Sequence, residues 1–352
     1  MRGTDFDQSR MFTYISPEEM VPPDHPLRAI RTMVDEALRS LAQRFSDMYS
    51  PWGRRSVPPE KLLRALLLQI LFSIRSERML MEQLRYNFLF RWFVGLSLED
   101  AVWDATVFSK NRERLIGGDV AQAFFEAVLV MAANRDLLSD EHFTVDGTLL
   151  EAWASKKSYQ LKEQPPATGS GSRGEILRRD THESKTDPEA QLYRKGAGGE
   201  YQLCHMAHVL IENRNGLTVA GCVTDPSPEQ ERSAAADMLD AFPRASRATV
   251  GADKSYDEPK FVASMRKMHI TPHVVQYQGR QSHIDGRTTR HPGYAVSVRE
   301  RKRIEHIFGW LKNTALLRKV RYRGHVRVEW VFKLALSAYN LVRMRALSAS
   351  AA

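Results

Sequence analysis

Apolar residues recur at helical spacing through the first third of the chain. From Leu27 to Phe45 the positions Ile30, Val34, Leu38 and Leu41 fall on one helix face. Pro59, at a favoured first-turn position, opens a second block, and LLRALLLQILFSI is apolar nearly all round, as a central buried helix is. A helix through Met79 to Phe93 follows, closed by a turn at Gly95. Asp104 reads as the N-cap of TVFSKNRERL, and a further helix covers Ala121 to Ala133.

At Glu141 the period changes. EHFTVDGTLLEAWA is short, β-prone and glycine-punctuated, and predicts a strand with Asp146 near its middle. YQLCHMAHVLI and LTVAGCVT flank ENRNG, a hairpin signal. Then come a helix from Glu229 to Phe242, a buried-type strand ending near Asp253, the helix PKFVASMRKM, the short strand TPHVVQY and a helix through RKRIEHIFGWLK. The succession predicts a mixed sheet covered by helices, an α/β (α+β) core behind an all-helical region. Between Ser155 and Glu200 the pattern lapses into QPPATGSGSRGE and its surroundings, which read as a long polar loop, mobile until something binds it. The expected divisions are a helical arm over 1–49, a helix-turn-helix-like region over 50–138, the α/β core over 139–325 and a basic helix packing on that core over 326–352.

Charge adds a partner class. The net charge of +9 is concentrated: between Arg299 and Arg345 there are thirteen Lys or Arg against three Glu. A concentrated basic segment without a lipid-facing helix points to nucleic acid ahead of anionic membrane. The candidate contacts are Arg301, Lys312, Arg318, Lys319, Arg321 and Arg323, with Arg287 and Arg290 from the basic loop GRQSHIDGRTTRHPGY, Lys254, and Lys110 and Arg112 from the helical region. For any one of them a solvated surface charge is the plain alternative. The absence of a signal-like or bilayer-length apolar run predicts a cytoplasmic protein. Cys204 and Cys222 are too few for a disulfide framework or a Cys-rich zinc site, and read as small buried residues.

Three carboxylates carry the candidate chemistry. Asp146 sits on the first predicted strand, Asp253 at the end of the fourth, and Glu305 on the basic helix, where a wheel places Arg301, Glu305 and Lys312 within roughly 40° of one another. Ion pairing along the helix explains that arrangement as well as any function does. If the first and fourth strands lie side by side with the helix across their ends, the three acids converge. Such acids stay ionised together only around a cation. All-oxygen donors favour Mg²⁺ or Mn²⁺, and two ions about 4 Å apart can activate a nucleophile and stabilise the leaving oxygen of a phosphodiester. His205 and His208, three apart on a strand, point to opposite faces and make a poor zinc pair. Trp153 and Trp310 read as core, with base stacking the alternative, and Asp257 as a cap for the helix after it.

The contexts FTVDGT, VGADKSYD and RKRIEHIFGWLK, with HVLIENRNGL, IDGRTTRHPGY and WVFKLALSAYNLVRMR, resemble bacterial insertion-sequence transposases of the IS-five type, within the IS-four superfamily of DDE transposases. The resemblance runs from about Ser50 almost to the C-terminus. It implies an RNase H-like core with Asp146, Asp253 and Glu305 as catalytic, metal-ligating residues. The implied reaction is Mg²⁺-dependent cleavage at an element's terminal inverted repeats and transfer of the 3′-hydroxyl ends into target DNA. It also implies a homodimer joining two DNA ends and helices before Glu141 that recognise the repeats. The Tyr-Arg-Glu-Lys signature of IS-four proteins is matched at Arg301, Glu305 and Lys312, with Val298 at the Tyr position. A metal-dependent nuclease without strand transfer and a non-catalytic DNA-binding relic remain the alternatives.

Overall fold

The computed structural model describes residues 16–50, 52, 56–162, 181–195, 199–245, 247–277, 279 and 281–351. The helical region comprises α1 (Pro17–Met20), α2 (Pro26–Ser40), α3 (Ala42–Met48), α4 (Pro59–Leu71), α5 (Glu77–Tyr86), α6 (Phe88–Val94), α7 (Ala105–Gly117) and α8 (Val120–Asn134). Two stretches expected as single helices are each divided. The first breaks at Leu41, yet the apolar stripe continues through buried Phe45. The second breaks at Asn87, whose side chain accepts from Phe90 N–H and caps α6. A short polar side chain that offers the backbone an alternative partner starts a new helix without disturbing the apolar period. Asp104 caps α7 by accepting from Thr106 N–H, and Gly95 closes α6 at φ +84°, a conformation glycine adopts freely.

The sheet is built from β1 (His142–Glu151), β4 (Gln191–Tyr193), β5 (Gln202–Glu212), β6 (Thr218–Thr224), β7 (Thr249–Ala252) and β8 (Thr271–Val274), while β2 (Tyr159–Leu161) and β3 (His182–Ser184) form a separate two-stranded ribbon. β5 pairs antiparallel with β1 and, on its other edge, with β6 and β4. β1, β7 and β8 run parallel, and α10 (Pro259–Lys267) connects the last two. Antiparallel strands followed by a parallel pair, with helices on both faces, is the RNase H-like arrangement. The hairpin turns where expected: Gly216 takes φ +74°, and the Glu212 carboxylate accepts from the N–H groups of Arg214, Asn215 and Leu217.

Alternation along the strands sorts residues between two cores. Phe143, Val145, Leu210 and Val250 face α9 (Pro228–Ala241) and α10. Leu150, Ala207, Val209 and Ile211 face the other way, into one cluster shared by the N-terminal helices, α13 (Arg303–Asn313) and α14 (His325–Ala351). α14 therefore lies inside the molecule. A Cβ at Gly221 on β6 would come within 2.5 Å of the Leu336 side chain, and Asn340 bonds both the N–H and C=O of Thr218. No single described helix is long and apolar enough to cross a membrane; α7 and α8 pass such a test only together, bent by 67°.

The polar segment over 155–200 is more structured than expected in its described parts. β2, β3 and β4 lie within it, and buried Asp187 bonds His205 Nε2 at 3.1 Å and Gly324 N–H at 3.1 Å. Ala190 packs with Leu203 and Tyr159 in a small third core. These anchors are single residues scattered among polar ones, so no periodicity announces them. Residues 163–180 and 196–198 of that segment lie outside the described residues.

Candidate active site

Asp146 and Asp253 stand at the same end of the parallel pair. The β1–β7 register ends with Thr144 opposite Gly251; Asp146 is two residues further along β1 and Asp253 two residues further along the chain, just past the end of β7. The Asp146 side chain is 13% exposed and accepts from Gly147 N–H at 2.8 Å. Asp253 caps the short turn after β7, one of its oxygens accepting from Ser255 N–H at 2.7 Å and from the Ser255 hydroxyl. Burial raises the Asp146 pKa; nearby Lys195 opposes this, the charge of Asp253 adds to it, and Arg301 opposes it. A partly buried carboxylate whose pKa is raised by burial and by a neighbouring carboxylate's charge makes a site suited to a further positive charge.

The basic helix is not continuous. α12 (Pro292–Glu300) ends with Arg301 as its C-cap, Lys302 precedes α13, and so Arg301 and Glu305 belong to different helices. The apolar periodicity runs through this joint, which hides it from a helical wheel. Arg301 nevertheless reaches the electrostatic field of Asp146, and its Nε is buried with no hydrogen-bond partner among the described residues. Lys312 is half-buried, its pKa lowered by burial and by the neighbouring charges of Arg318 and Lys195. The structure thus brings the charges of Asp253 and Arg301 near Asp146, while Lys312 is near Lys195 and Arg318. Glu305 is exposed on the first turn of α13, whose Ile304, Ile307, Phe308 and Leu311 are buried. Among the described residues, no three His, Cys, Asp or Glu side chains are placed to hold an ion together.

Two charged residues at this end have no signal in the sequence. Lys195 Nζ donates to the Gly147 carbonyl at 2.7 Å and lies 4.0 Å from Asp146 Oδ1 and 3.8 Å from Glu231 Oε1. Glu231, in the first turn of α9, is buried, and its Oε1 has no hydrogen-bond partner among the described residues. Its pKa is pushed up to about 7 by burial, against Lys195 and with Asp146 and Asp253 adding. Glu231 is one acid in the run PEQER, and Lys195 one cation in a polar segment; only the folded chain separates them from their neighbours. The donors at this end are hard oxygens, and among the described residues the buried Glu231 Oε1 accepts no hydrogen bond, so the residues fit a divalent cation of the Mg²⁺ type.

Other expected residues fall into three groups. Lys110, Lys254, Arg287, Arg290, Arg318, Arg321 and Arg323 are exposed, Lys254 with its ammonium 5.6 Å from the centre of the Tyr277 ring. Lys319 pairs with Glu151 at 2.6 Å. Arg112 is committed internally: its side chain, 13% exposed, pairs with Glu77 and Glu113 and lies over the Tyr322 ring. Trp153 is 50% exposed, so the core assignment is corrected: after Ala152 the chain leaves the sheet and the indole projects beside Lys319. Trp310 packs edge-on against Tyr339. Asp257 is not the cap of α10. Glu258 fills that place, and Asp257 is buried, accepting from the N–H groups of Tyr277 and His283 to tie down the loop after β8. His205 and His208 bond Asp187 and Thr224, respectively.

An RNase H-like sheet carrying one carboxylate within β1 and a second just past the end of the adjacent parallel strand β7, beside a basic helix pair, fits a metal-dependent phosphoryl-transfer enzyme. A family model described as a transposase domain matches residues 15–114, and one described as a transposase DDE domain matches residues 140–341. The chain belongs to this DDE transposase family, whose members are metal-dependent enzymes that cut and join DNA. Solved structures similar to it include the piggyBac transposase synaptic complex with hairpin DNA, at 9% identity and a TM-score of 0.42, over 92% of this chain and 76% of that one. The pre-cleavage Mos1 transpososome matches at 11% identity and a TM-score of 0.21, over 92% and 93% of the two chains.

Proposed function

We propose that this transposase cleaves the terminal inverted repeats of an insertion sequence of the IS-five type and transfers the freed 3′-hydroxyl ends into target DNA. The observation that carries the reading is the proximity of Asp146, within β1 just past its paired stretch with β7, to Asp253, the first residue after β7. Asp146 and Asp253 would hold Mg²⁺ or Mn²⁺, with Glu305 as the third carboxylate brought in from α13. Bound there, one or two such ions supply activation of the attacking hydroxyl and stabilisation of the leaving oxygen.

The chain's own residues do the rest. Arg301, whose charge reaches Asp146, and Lys312, near Lys195, would hold the phosphates flanking the scissile bond, where their charge meets that developing in the transition state. Exposed Lys254, Arg287, Arg290, Arg318, Arg321 and Arg323 would extend the track along the duplex, and Lys110 would contribute from the helical region over 50–138 that recognises the repeats. Two protomers would bring two ends together, since joining requires both.

The test is an in vitro reaction on DNA carrying the element's own ends. Metal-dependent joined product from the native chain, and none from Glu305→Gln, supports the reading. Cleavage without joining would leave a nuclease. Binding with neither would leave a DNA-binding relic.

A further inference from the structure

Lys195 and Glu231 are the two charged residues at the Asp146 end that the DDE reading does not use. Glu231 sits under Gly147: a Cβ built there would lie 2.7 Å from Glu231 Oε1, so the absence of a side chain at 147 is what lets the carboxylate approach the strand. Lys195 follows β4 by two residues, bonded to the Gly147 carbonyl and within 4.0 Å of one oxygen each on Asp146 and Glu231. Glu231 is 5% exposed, its Oε1 without a hydrogen bond among the described residues, whereas the Lys195 side chain is 49% exposed. One partner is fixed in the core and the other can move.

We propose that Lys195 is an internal cation that occupies the Asp146 end of the site until a divalent ion displaces it, and that Glu231 is the positioning residue that tethers it there. The inference rests on the metal-site reading of Asp146 and Asp253. An ammonium is a single charge with three donors, suited to a carbonyl and two separated carboxylates. A divalent ion at Asp146 is favoured there by its higher charge and repels the ammonium from the same oxygen. Displaced from Asp146, Lys195 remains within reach of Glu231, so the exchange needs no large movement.

Two measurements on the full chain test this. Calorimetric titration with Mn²⁺ should give about tenfold tighter binding for Lys195→Met than for the native chain, because a competing positive charge about 4 Å from the ligand oxygen is removed. Acylation of Lys195 by an amine-reactive ester, followed by mass spectrometry, should be several-fold faster in Glu231→Gln than in the native chain. Saturating Mg²⁺ should raise the native rate likewise, with exposed Lys110 in the helical region as an internal reference. Unchanged or weaker Mn²⁺ binding by Lys195→Met overturns the proposal, as do equal Lys195 acylation rates in all three samples. Asp146→Asn separates the two levels. Lost Mn²⁺ binding in Asp146→Asn together with unchanged binding in Lys195→Met refutes the exchange alone. Undiminished binding in Asp146→Asn refutes the metal-site reading beneath it.

Discussion

Asp146 and Asp253 each lie two residues beyond the Thr144–Gly251 match that ends the parallel pairing of β1 with β7. Among the described residues the one ion pair either acid makes is that of Asp146 with Lys195, at 4.0 Å, which leaves their charge available to an ion. Asp146→Asn and Asp253→Asn preserve volume and hydrogen-bonding capacity while removing that charge. Each is expected to lower DNA cleavage by about a thousandfold or more, with duplex affinity little changed. A cleavage assay paired with a gel-shift titration checks this, and retained cleavage by either variant would remove that residue from the chemistry.

The strand order, the hairpin and both strand-borne aspartates are legible in the sequence because β-periodicity and an Asn-Gly turn are local signals. The joint at Arg301 and Lys302 is not, since Ile304, Ile307 and Phe308 continue an apolar period that a break of two residues leaves in phase. Asp257 misleads for a related reason: an acid two residues before Pro259 is a good cap in sequence, and only the loop after β8 reveals the N–H groups it serves. Lys195 and Glu231 are invisible. Their significance lies in distances across β1, and neither stands in a spacing that any local rule reads.

Gly147 and Gly309 give contrasting predictions from the same substitution. Alanine at 147 would set a methyl 2.7 Å from Glu231 Oε1 and 3.1 Å from His208 Nδ1, both in the interior. Overpacking of this kind costs about 1–3 kcal/mol. Alanine at 309, inside α13, meets nothing within 4 Å and should stabilise the chain by about 0.5–1 kcal/mol through lower unfolded-state entropy. Denaturant unfolding of both variants measures the pair, and a neutral Gly147→Ala would mean that α9 is free to recede from the strand.

His273 makes the fold acid-sensitive. It is buried, bonds the Ser297 hydroxyl at 2.6 Å, and has its pKa lowered to about 4 by burial, with the charges of His291 and His142 adding. Above about pH 6.5 the residue is neutral in both states and contributes no slope. As pH falls from about 6.5 to about 4 the unfolded chain takes up a proton that the folded chain refuses, and stability declines by about 3 kcal/mol from this group. His273→Asn should start lower at about pH 7, through the disturbed Ser297 hydrogen bond, and lose less between about pH 7 and about 4.5. Parallel native and variant curves over that range would remove His273 as the cause.

Arg112 and Arg318 separate an internally paired cation from an exposed one proposed to face DNA. Arg112 joins α7 to Glu77 on α5 and lies over Tyr322, just before α14, whereas Arg318 is exposed and its guanidinium bonds Asn313 at 3.1 Å. Removing a partly buried arginine strands the carboxylates it served, so Arg112→Ala is expected to cost about 2 kcal/mol of stability while leaving the salt dependence of DNA binding as it was. Arg318→Ala should leave the unfolding midpoint in place and weaken binding similarly across DNA sequences. The slope of log affinity against log salt should become shallower by about 0.9, the change expected when the protein neutralises one phosphate fewer. The same titration on Arg323→Ala extends the test along the chain. A shallower slope for Arg112→Ala with an unchanged midpoint would show that the α5–α7 ion pairs open to receive DNA, and that the helical region binds in an arrangement other than the one described.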